Sequence, residues 1–388
     1  MNVTKPAGVA SPPSAPFIVD GHNDLAWQLR VRERYSNLNI ASPRPELHTD
    51  LVRLQQGNVG LQFWSAFVPS HLSGRKAAVA TLQQIDAIHT LIETHEELVL
   101  VDDAEAVRQA VGQGRIAGMI GVEGGHCIDS DLALLRIFRK LGVRYMTLTH
   151  NDDCGWAESA TGAAEVAGVS AYGEIVIREM NRIGVLVDLS HVSDRSAERA
   201  LKMTQTPAIF SHSNCQSLVK HPRNVSDQRL LQLRENGGVL MLSFVPAFVN
   251  QAVADYERAY AEFSESISVT EEYADYAPRL DQWKHEALER WRATHPKPVA
   301  TIDDVVDHIC HARDVLGIEH VGLGSDFDGV DSMPRGLEDV SCYPELLDKL
   351  QRRGWSSNDL SQLAHENVLR VLDENDEFVR DSAARERA

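Results

Sequence analysis

Short runs of apolar residues recur along the chain, and most are followed by a stretch in which apolar residues repeat at helical spacing. The apolar runs predict eight strands, at residues 17–19, 60–68, 117–122, 143–149, 184–189, 208–211, 239–245 and 320–324. Helical periodicity separates most of them, at residues 76–95, 131–141, 171–183, 194–203, 227–236 and 302–316. Apolar strands that alternate with helices are typical of a parallel sheet covered on both faces. Because eight such strands close a TIM-type barrel, we predict a (β/α)8 barrel of the α/β class.

Two parts of the chain depart from this alternation. Residues 251–300, rich in Glu, Tyr, Trp and Arg, separate the last two predicted strands by more than a usual crossover, which predicts a helical insertion. Beyond the last strand, residues 343–353 and 357–372 predict additional C-terminal helices packed outside the barrel. Residues 1–16, rich in Pro, Ser and Ala, predict a flexible leader, which leaves residues 17–388 as a single domain.

Composition and charge narrow the function classes. A formal net charge of -18 argues against a nucleic-acid surface, which needs clustered Lys and Arg to neutralise phosphate. The five cysteines are scattered and form no CxxC pair, which suits a reducing compartment. The sequence also has no apolar run of the length of a membrane span, and its N-terminus lacks the apolar core of a secretory signal. We therefore expect a cytoplasmic protein that binds neither nucleic acid nor membrane.

Ionisable residues follow most of the predicted strands. His22 and Asp24 follow the first strand, and in an extended chain residues two apart point to the same face. The later strands are followed by Glu123, His150, His191, His212 and Asp326. In an α/β barrel the carboxyl ends of all strands lie on one face, where active sites form. The sequence therefore predicts that these residues surround one cavity.

The residue types in this set fit a metal site. Imidazole and carboxylate are the expected ligands of zinc or a similar first-row ion, and the lack of Cys argues against a closed thiolate site. Three of these histidines together with the three carboxylates already exceed what one tetrahedral ion needs, whereas two ions that share a carboxylate would use all six. Glu123 suits the shared position because Gly124 and Gly125 follow it and permit close approach. Any single member is equally well explained as a buried polar group or a helix cap.

Seven motifs in this order resemble those of the renal (membrane) dipeptidase family, a branch of the amidohydrolase superfamily. They are GHNDLAWQL, GVEGGHCID, RYMTLTHND, VDLSHVS, IFSHSN, HPRNV and GLGSDFDGV, and the resemblance as a whole extends from about Phe17 to Leu372. The resemblance implies two Zn²⁺ ions per chain. It implies that His22, Asp24 and Asp326 bind the first ion, that His191 and His212 bind the second, and that Glu123 bridges the two.

The resemblance also implies roles in the reaction. His150 matches the histidine that contacts the scissile carbonyl oxygen, and Arg223 matches the arginine that holds the C-terminal carboxylate of the substrate. Asp326 is expected to accept the proton of a metal-activated hydroxide, and together with His150 and Glu123 it completes the expected catalytic set. Trp27 is a candidate wall of the substrate pocket. The implied substrates are dipeptides, including those with a C-terminal D residue.

The chain departs from the mammalian members of this family, which are secreted, disulfide-bonded and lipid-anchored. The segment around Pro69 and Ser70 offers no cysteine partner for Cys154. The insertion at residues 251–300 is similar to that of bacterial relatives, and the SFVPAF segment lacks a tyrosine associated with substrate contact. We therefore expect a bacterial-type member, without covalent dimerisation. Because family members commonly form dimers, we still expect a homodimer.

Other interpretations remain open at this stage. Asp20, Asp188 and Asp328 either orient ligand imidazoles or occupy turns, whereas His126 and His221 match no functional position and are interpreted as structural. An alternative function is another amidohydrolase reaction, on a lactone, lactam or cyclic amide. Those relatives usually carry HxH after the first strand and often a carboxylated lysine, whereas this chain has HxD and no lysine at the ends of the third to fifth strands. A third reading is a metal-binding barrel without activity.

Overall fold

The computed structural model describes residues 15–267 and 277–387 of the 388-residue chain. Most of the predicted leader, residues 1–14, lies outside the described residues. The strands are β1 (Ile18–Asn23), β2 (Val59–Phe67), β3 (Leu98–Leu100), β4 (Ile116–Glu123), β5 (Val143–Thr147), β6 (Leu186–Asp188), β7 (Ile209–Ser213), β8 (Val239–Leu242) and β9 (Val321–Leu323). Every neighbouring pair in this sheet is parallel.

Eight of these strands close into a barrel. Their order is β2-β1-β9-β8-β7-β6-β5-β4, and a further pairing of β2 with β4 completes the ring. The predicted (β/α)8 fold is therefore confirmed. The first and last strands lie side by side, with Asp20 of β1 paired in register with Leu323 of β9.

The strand β3 is outside the barrel, and the sequence pattern missed it. Its three residues pair with the first residues of β4, Ile116 to Gly118, and β5 pairs along the same edge of β4 only from Ile120 onwards. The part of β4 that extends below β5 therefore has room for one more short strand. A prediction of eight strands was one too few for the described chain.

Two predicted strand boundaries were also wrong. The strand β1 continues four residues beyond the predicted end at Val19, to Asn23, so that His22 lies within the strand. All six of its residues are buried, including the polar ones. The strand β8 ends at Leu242, before the predicted residue 245, because Val245 already precedes a short helix that begins with Pro246.

Helices surround the barrel and follow most of its strands. They are α1 (Leu25–Glu33), α2 (Leu51–Gln56), α3 (Arg75–Thr94), α4 (Ala104–Gly112), α5 (Leu132–Lys140), α6 (Ala171–Ile183), α7 (Asp194–Met203), α8 (Asp227–Asn236), α9 (Pro246–Val249), α10 (Gln251–Ser266), α11 (Ala277–Thr294), α12 (Ile302–Leu316), α13 (Tyr343–Arg352), α14 (Ser357–Ser361) and α15 (Asn367–Arg387).

The insertion between β8 and β9 is mostly helical over its described residues, as predicted. The helices α10 and α11 lie within residues 251–300, and the segment 268–276 is outside the described residues. The indole of Trp291 on α11 contacts the rings of Tyr256, Tyr260 and Phe263 on α10, with centroids 5.1, 5.4 and 6.0 Å away. This aromatic cluster joins the two helices.

The C-terminal helix packs on the barrel at the end opposite the polar strand ends. Val368, Leu369 and Leu372 of α15 belong to the same buried cluster as Val19 and Met241, which are strand residues. Apolar side chains therefore fill the lower part of the barrel, as in other (β/α)8 proteins. The upper part is where the ionisable residues lie.

Candidate metal centre

His22 and Asp24 come together at the end of β1. His22 is fully buried and Asp24 is 5% exposed, and Asp24 is the residue that precedes α1. The pairing of β1 with β2 shifts register between Asp20 and Asn23, so the strand is irregular where His22 lies. His22 Nε2 is 3.3 Å from Asp24 Oδ2. The two side chains converge on one point, as their spacing in the sequence predicts.

Glu123, the last residue of β4, lies between two groups of imidazoles. Its Oε2 is 3.5 Å from His22 Nε2. Its Oε1 is 3.0 Å from His191 Nε2 and 3.5 Å from His212 Nε2. Each oxygen of this buried carboxylate therefore faces a different set of ring nitrogens.

Seven of the residues predicted from the strand ends share one cluster. Three overlapping groups have potential ligand atoms within 4.8 Å of one another, namely His22, Glu123 and His212; Glu123, His150 and His191; and His22, Asp24 and Asp326. The closed barrel explains this, because residues from β1 and from the segment after β9 are neighbours at its seam. The structure thus brings together residues about 300 positions apart in the chain.

The chemistry of the cluster fits bound cations. Burial lowers the pKa of His191 and His212 well below the ordinary value, so both rings are neutral, as metal ligation requires. Burial raises the pKa of Asp326 to about 8, and the nearby carboxylates of Asp24 and Glu123 contribute to the rise. Three carboxylates packed this closely in a buried site favour a neutralising cation.

Four buried side-chain atoms in the cluster have no hydrogen-bond partner among the described residues, and two of them are His150 Nδ1 and His191 Nδ1. The other two lie at the end of β1. These atoms are His22 Nε2 and Asp24 Oδ1. Burial disfavours charge on His22, but Tyr145, Glu123 and Asp24 raise its pKa well above the ordinary value. The position of His22 Nε2 therefore attracts a positive charge, and a metal ion would satisfy both atoms.

The ring of His22 is held by Tyr145. The Tyr145 hydroxyl donates to the carbonyl oxygen of Gly21 at 3.1 Å and lies 2.9 Å from His22 Nδ1. Since the hydroxyl proton is used on Gly21, the hydroxyl oxygen accepts the Nδ1 proton of His22. Nε2 is then the nitrogen that faces the carboxylates, which is the arrangement expected of a metal-binding imidazole.

A second hydrogen-bond chain orients His212. The Ser211 hydroxyl donates to Asp188 Oδ2 at 2.6 Å and lies 2.8 Å from His212 Nδ1, so it accepts the Nδ1 proton. Asp188 therefore orients the candidate ligand His212 through Ser211. Of the two interpretations that the sequence left open for Asp188, this favours the orientation of a ligand imidazole over a place in a turn.

Asp20 has a different role. Its carboxylate accepts hydrogen bonds from the backbone N–H of Ser325 at 2.9 Å, from the Ser325 hydroxyl at 2.7 Å and from Gln62 Nε2 at 3.0 Å. It ties β1 to the chain that follows β9, at the seam of the barrel. Asp328 accepts from the backbone N–H of His48 at 2.8 Å, so it holds a loop and contacts no ligand imidazole.

The backbone at the site adopts conformations that most residues avoid. His191 and Asp326 have φ angles of 68° and 69°, in the left-handed region. Gly329 is needed for space, because a Cβ atom there would lie 2.1 Å from Asp326 Oδ1 and 2.6 Å from Asp24 Oδ2. Such unfavourable geometry often marks functional sites.

A cavity of about 610 Å³ opens above the cluster. His150 lies on its wall, between the rings of Phe67 and His191 at centroid distances of 4.8 and 4.4 Å. Burial lowers the pKa of His150, which favours the neutral ring. Trp27 lines the same cavity and contacts Phe67 edge to face at 5.0 Å. The residues predicted to contact a substrate therefore do border a space that can hold one.

Arg223 is a buried arginine on the cavity wall. Its Nη2 donates to the carbonyl oxygen of His212 at 3.3 Å and its Nη1 to Ser213 Oγ at 3.4 Å. Among the described residues, no carboxylate oxygen lies within 4.0 Å of the guanidinium group. Burial lowers the pKa of Arg223 to about 10, so the side chain stays charged near neutral pH. A buried cation that faces a cavity in this way suits an anionic group of a ligand.

Several further lining residues were missed by the sequence analysis, among them two aromatic residues and a histidine. Phe67 and Phe248 form apolar walls, and His221 stands next to Arg223. His221 was interpreted as structural, and its position two residues before Arg223 is the signal in the sequence that points to the cavity. His126, by contrast, does not line the cavity, and its Nε2 is 3.1 Å from the carbonyl oxygen of Val68.

The remaining sequence expectations concern cysteines and membranes. All five cysteines are free thiols in the structure. The Ser70 hydroxyl donates to Asp152 at 2.6 Å and links the loops after β2 and β5 without a disulfide. No helix in the described part of the chain is both long and apolar enough to span a bilayer.

Comparison with known proteins gives a consistent picture. A family model described as membrane dipeptidase (peptidase family M19) matches residues 14–386. An uncharacterized dipeptidase of Schizosaccharomyces pombe is 39% identical over 371 residues, which cover 91% of this chain and 80% of that protein. Dipeptidase 3 of Rattus norvegicus is 36% identical over 362 residues, covering 92% of this chain and 64% of that protein.

A solved structure has the same fold. It is a metallopeptidase from Rhodobacter sphaeroides in complex with a phosphinate mimic of the dipeptide L-Ala-D-Ala. The TM-score is 0.77 at 22% sequence identity, and the match covers 93% of this chain and 99% of that one. The fold is thus shared over nearly the whole of both chains.

Proposed function

The chain belongs to the membrane dipeptidase family, and from this premise we propose that it is a dinuclear zinc dipeptidase that accepts a C-terminal D residue. The observation that carries the proposal is the position of Glu123. Its two oxygens face separate groups of imidazole nitrogens, at 3.5 Å from His22 and 3.0 Å from His191. A carboxylate in this position suits a bridge between two ions better than a ligand of one.

The proposed ligands divide into two sets joined by Glu123. One set contains His22, Asp24 and Asp326, and the other contains His191 and His212. Two zinc ions held there would lower the pKa of a shared water to about 7 and would polarise the scissile carbonyl. The fixed Nδ1 protons of His22 and His212 leave Nε2 of each ring available for this purpose.

Arg223 and the cavity support a dipeptide as the substrate. In our proposal the guanidinium group binds the C-terminal carboxylate, which is the anion that a free dipeptide always carries. The scissile carbonyl then lies one residue away, at the end of the cavity where His150 and Glu123 are 3.9 Å apart. Because the cavity has a volume of about 610 Å³, a dipeptide fits it better than a long peptide does.

His150 and Asp326 would carry out the proton and hydrogen-bond steps. The neutral ring of His150 would donate a hydrogen bond to the carbonyl oxygen as negative charge develops on it. Asp326 would accept a proton from the attacking water and deliver it to the leaving amine. Both side chains line the cavity, which the proposed roles require.

The acceptance of a C-terminal D residue draws on the Rhodobacter sphaeroides protein, whose bound phosphinate mimics L-Ala-D-Ala. In this chain the proposal is supported by Arg223, which would hold the carboxylate whatever the configuration of the last residue. The side chain of that residue would lie between the walls formed by Trp27, Phe67 and Phe248.

A dipeptide panel with L,L, L,D and D,L members tests the proposal on zinc-reconstituted protein. We expect two zinc ions per chain, hydrolysis of L-Ala-D-Ala and of L-Ala-L-Ala, and little activity on L-Ala-D-alaninamide, which lacks the carboxylate. Glu123→Gln should abolish activity and reduce the zinc content. Fully loaded protein that leaves every dipeptide intact, or that hydrolyses a lactone or cyclic amide instead, would disprove the dipeptidase proposal.

A further inference from the structure

His221 is a cavity residue to which the proposed mechanism gives no role. It lies in the loop between β7 and α8, two residues before Arg223, and its ring lines the same cavity. It is neither fully buried nor exposed. Its position therefore brings a second nitrogen-bearing side chain to the end of the cavity where Arg223 lies.

The protonation of His221 is fixed by its own loop. The backbone N–H of Arg223 donates to His221 Nδ1 at 3.2 Å, so Nδ1 carries no proton. Burial and the neighbouring charge of Arg223 lower the pKa of His221 to about 4, and the ring is neutral at pH 7. A neutral ring with a bare Nδ1 has its proton on Nε2. Within the described chain, that Nε2–H has no hydrogen-bond partner.

His221 and Arg223 pack on the same aromatic ring. The His221 ring lies 4.7 Å from the centroid of Phe248, and Arg223 Cζ lies 5.2 Å from it. Phe248, on α9, also lines the cavity. Phe248 therefore contacts both the neutral donor and the cationic fork, and all three residues line one cavity.

A ligand carboxylate bound by Arg223 alone would keep hydrogen-bond acceptor sites without a donor. A carboxylate has about four sites that accept hydrogen bonds. Arg223 already uses one N–H of Nη1 on Ser213 and one of Nη2 on His212. A ligand carboxylate held by the remaining N–H groups has acceptor sites to spare, and a neutral donor can fill one of them without placing a second charge next to Arg223.

We propose that His221 is a substrate-binding residue whose Nε2–H donates a hydrogen bond to the C-terminal carboxylate of the dipeptide, beside Arg223. This inference rests on the proposed dipeptidase function and deepens it. It assigns recognition of the carboxylate to a pair of residues, one charged and one neutral.

Two substitutions separate substrate binding from a structural role. His221→Asn places an acceptor near the position of Nδ1 and removes the Nε2–H, whereas His221→Gln places an amide donor near Nε2 and removes the acceptor for Arg223 N–H. We expect His221→Asn to raise KM for L-Ala-D-Ala by about 10- to 100-fold, the range for a hydrogen bond to a charged group. We expect His221→Gln to raise KM by less than about threefold, and kcat to change little in either variant.

The binding constant of the phosphinate mimic of L-Ala-D-Ala, measured by calorimetry on the zinc-loaded proteins, provides a second readout. This binding measurement needs no turnover, so it tests the role of His221 even if the wild type hydrolyses no dipeptide. Absence of hydrolysis would disprove only the proposed function. The matched control is His89→Asn, since His89 on α3 bonds the carbonyl oxygen of Leu141 and does not line the cavity.

The expected result is weak binding by His221→Asn and nearly normal binding by His221→Gln. The reverse order, with only Asn tolerated, would show that His221 merely holds its loop and would overturn the proposal. Equal losses in both variants, wild-type behaviour in both, or a mimic that the wild type does not bind would overturn it as well. Melting temperatures of all variants identify any loss that comes from unfolding.

Discussion

Gly329 gives a direct test of whether Asp24 and Asp326 are metal ligands. In Gly329→Ala the new Cβ would lie 2.1 Å from Asp326 Oδ1 and 2.6 Å from Asp24 Oδ2, where ordinary contacts begin at 3.4 Å. The Asp326 carboxylate must therefore move by more than 1 Å, and the Asp24 carboxylate by a smaller distance. The φ angle of Gly329 is outside the left-handed region, so the effect is steric and not conformational.

The size of the effect follows from the tolerance of metal sites. Ligand distances in such sites hold to within about 0.2 Å, which is far less than the required displacement. Changes to residues that merely support ligands already cost about 10- to 100-fold in metal affinity. We expect Gly329→Ala to weaken zinc binding by at least this factor, or about 1.4 to 2.7 kcal/mol.

The assay is competition for zinc with a chelator of known affinity, together with kcat/KM for L-Ala-D-Ala. Gly112→Ala is the matched control, because no atom beyond its chain neighbours and the nearby backbone of α4 lies within 4 Å of the position of its Cβ. Circular dichroism should show the same folded structure in both variants. If Gly329→Ala bound zinc and hydrolysed the dipeptide as the wild type does, the assignment of these two carboxylates as ligands would be refuted.

Three further predictions concern substrate binding, stability and pH. Arg223→Lys should raise KM for L-Ala-D-Ala by about 30-fold, a loss of about 2 kcal/mol, because an ammonium cannot form the planar fork; unchanged kinetics would exclude Arg223 from carboxylate binding. Asp376→Asn should lower the free energy of unfolding in urea by about 3 kcal/mol, because the Arg144 side chain, 1% exposed, loses an ionic partner 2.7 Å away. Loss of less than half that amount would contradict the prediction. Burial lowers the pKa of His308 from 6.5 to about 4, so the unfolded state binds more protons between these values. The stability from this neutral ring is complete above pH 6.5 and is lost as the pH falls towards 4, a span of about 3 kcal/mol. His308→Asn keeps an acceptor for the Cys215 N–H. It should reduce the pH dependence of the free energy of unfolding in urea between pH 4 and 6.5, and parallel pH profiles of variant and wild type would disprove the prediction.

The helices that the sequence predicted to the residue are those with local end signals. Ser170 and Ser226 accept backbone N–H groups at the starts of α6 and α8, and Gly184 and Gly237 end these helices in the left-handed conformation. Capping depends on a few adjacent residues, so it can be recognised without knowledge of the fold.

The strands that were misjudged depend on distant contacts. The run from Asp20 to Asn23 looks like a loop because it is polar, yet it is strand, since the barrel supplies Ser325, Tyr145 and Gln62 as partners. The strand β3 has three residues and exists because β4 is longer than β5. Neither condition is visible in the local sequence.

The candidate site could be largely assembled from the sequence because a closed barrel places all strand ends on one face. The contact of His221 with Phe248 could not be predicted, because Phe248 approaches from α9 in a different part of the chain. The homodimer, the cytoplasmic location and the single-domain boundary at residue 17 stay predictions.

The hydrogen bonds of Asp20 with Ser325 also imply that the barrel closes late in biosynthesis, after the segment that follows β9 has been made. They join the first strand to the segment after the last one, and Asp326 is the next residue along. A ribosome must therefore reach residue 326 before the proposed ligand set is complete. An incomplete chain has His22 and Asp24 but lacks their third partner. In our proposal, binding of both metal ions would then require a closed barrel. An incomplete polypeptide chain would therefore have no hydrolytic activity in the cell.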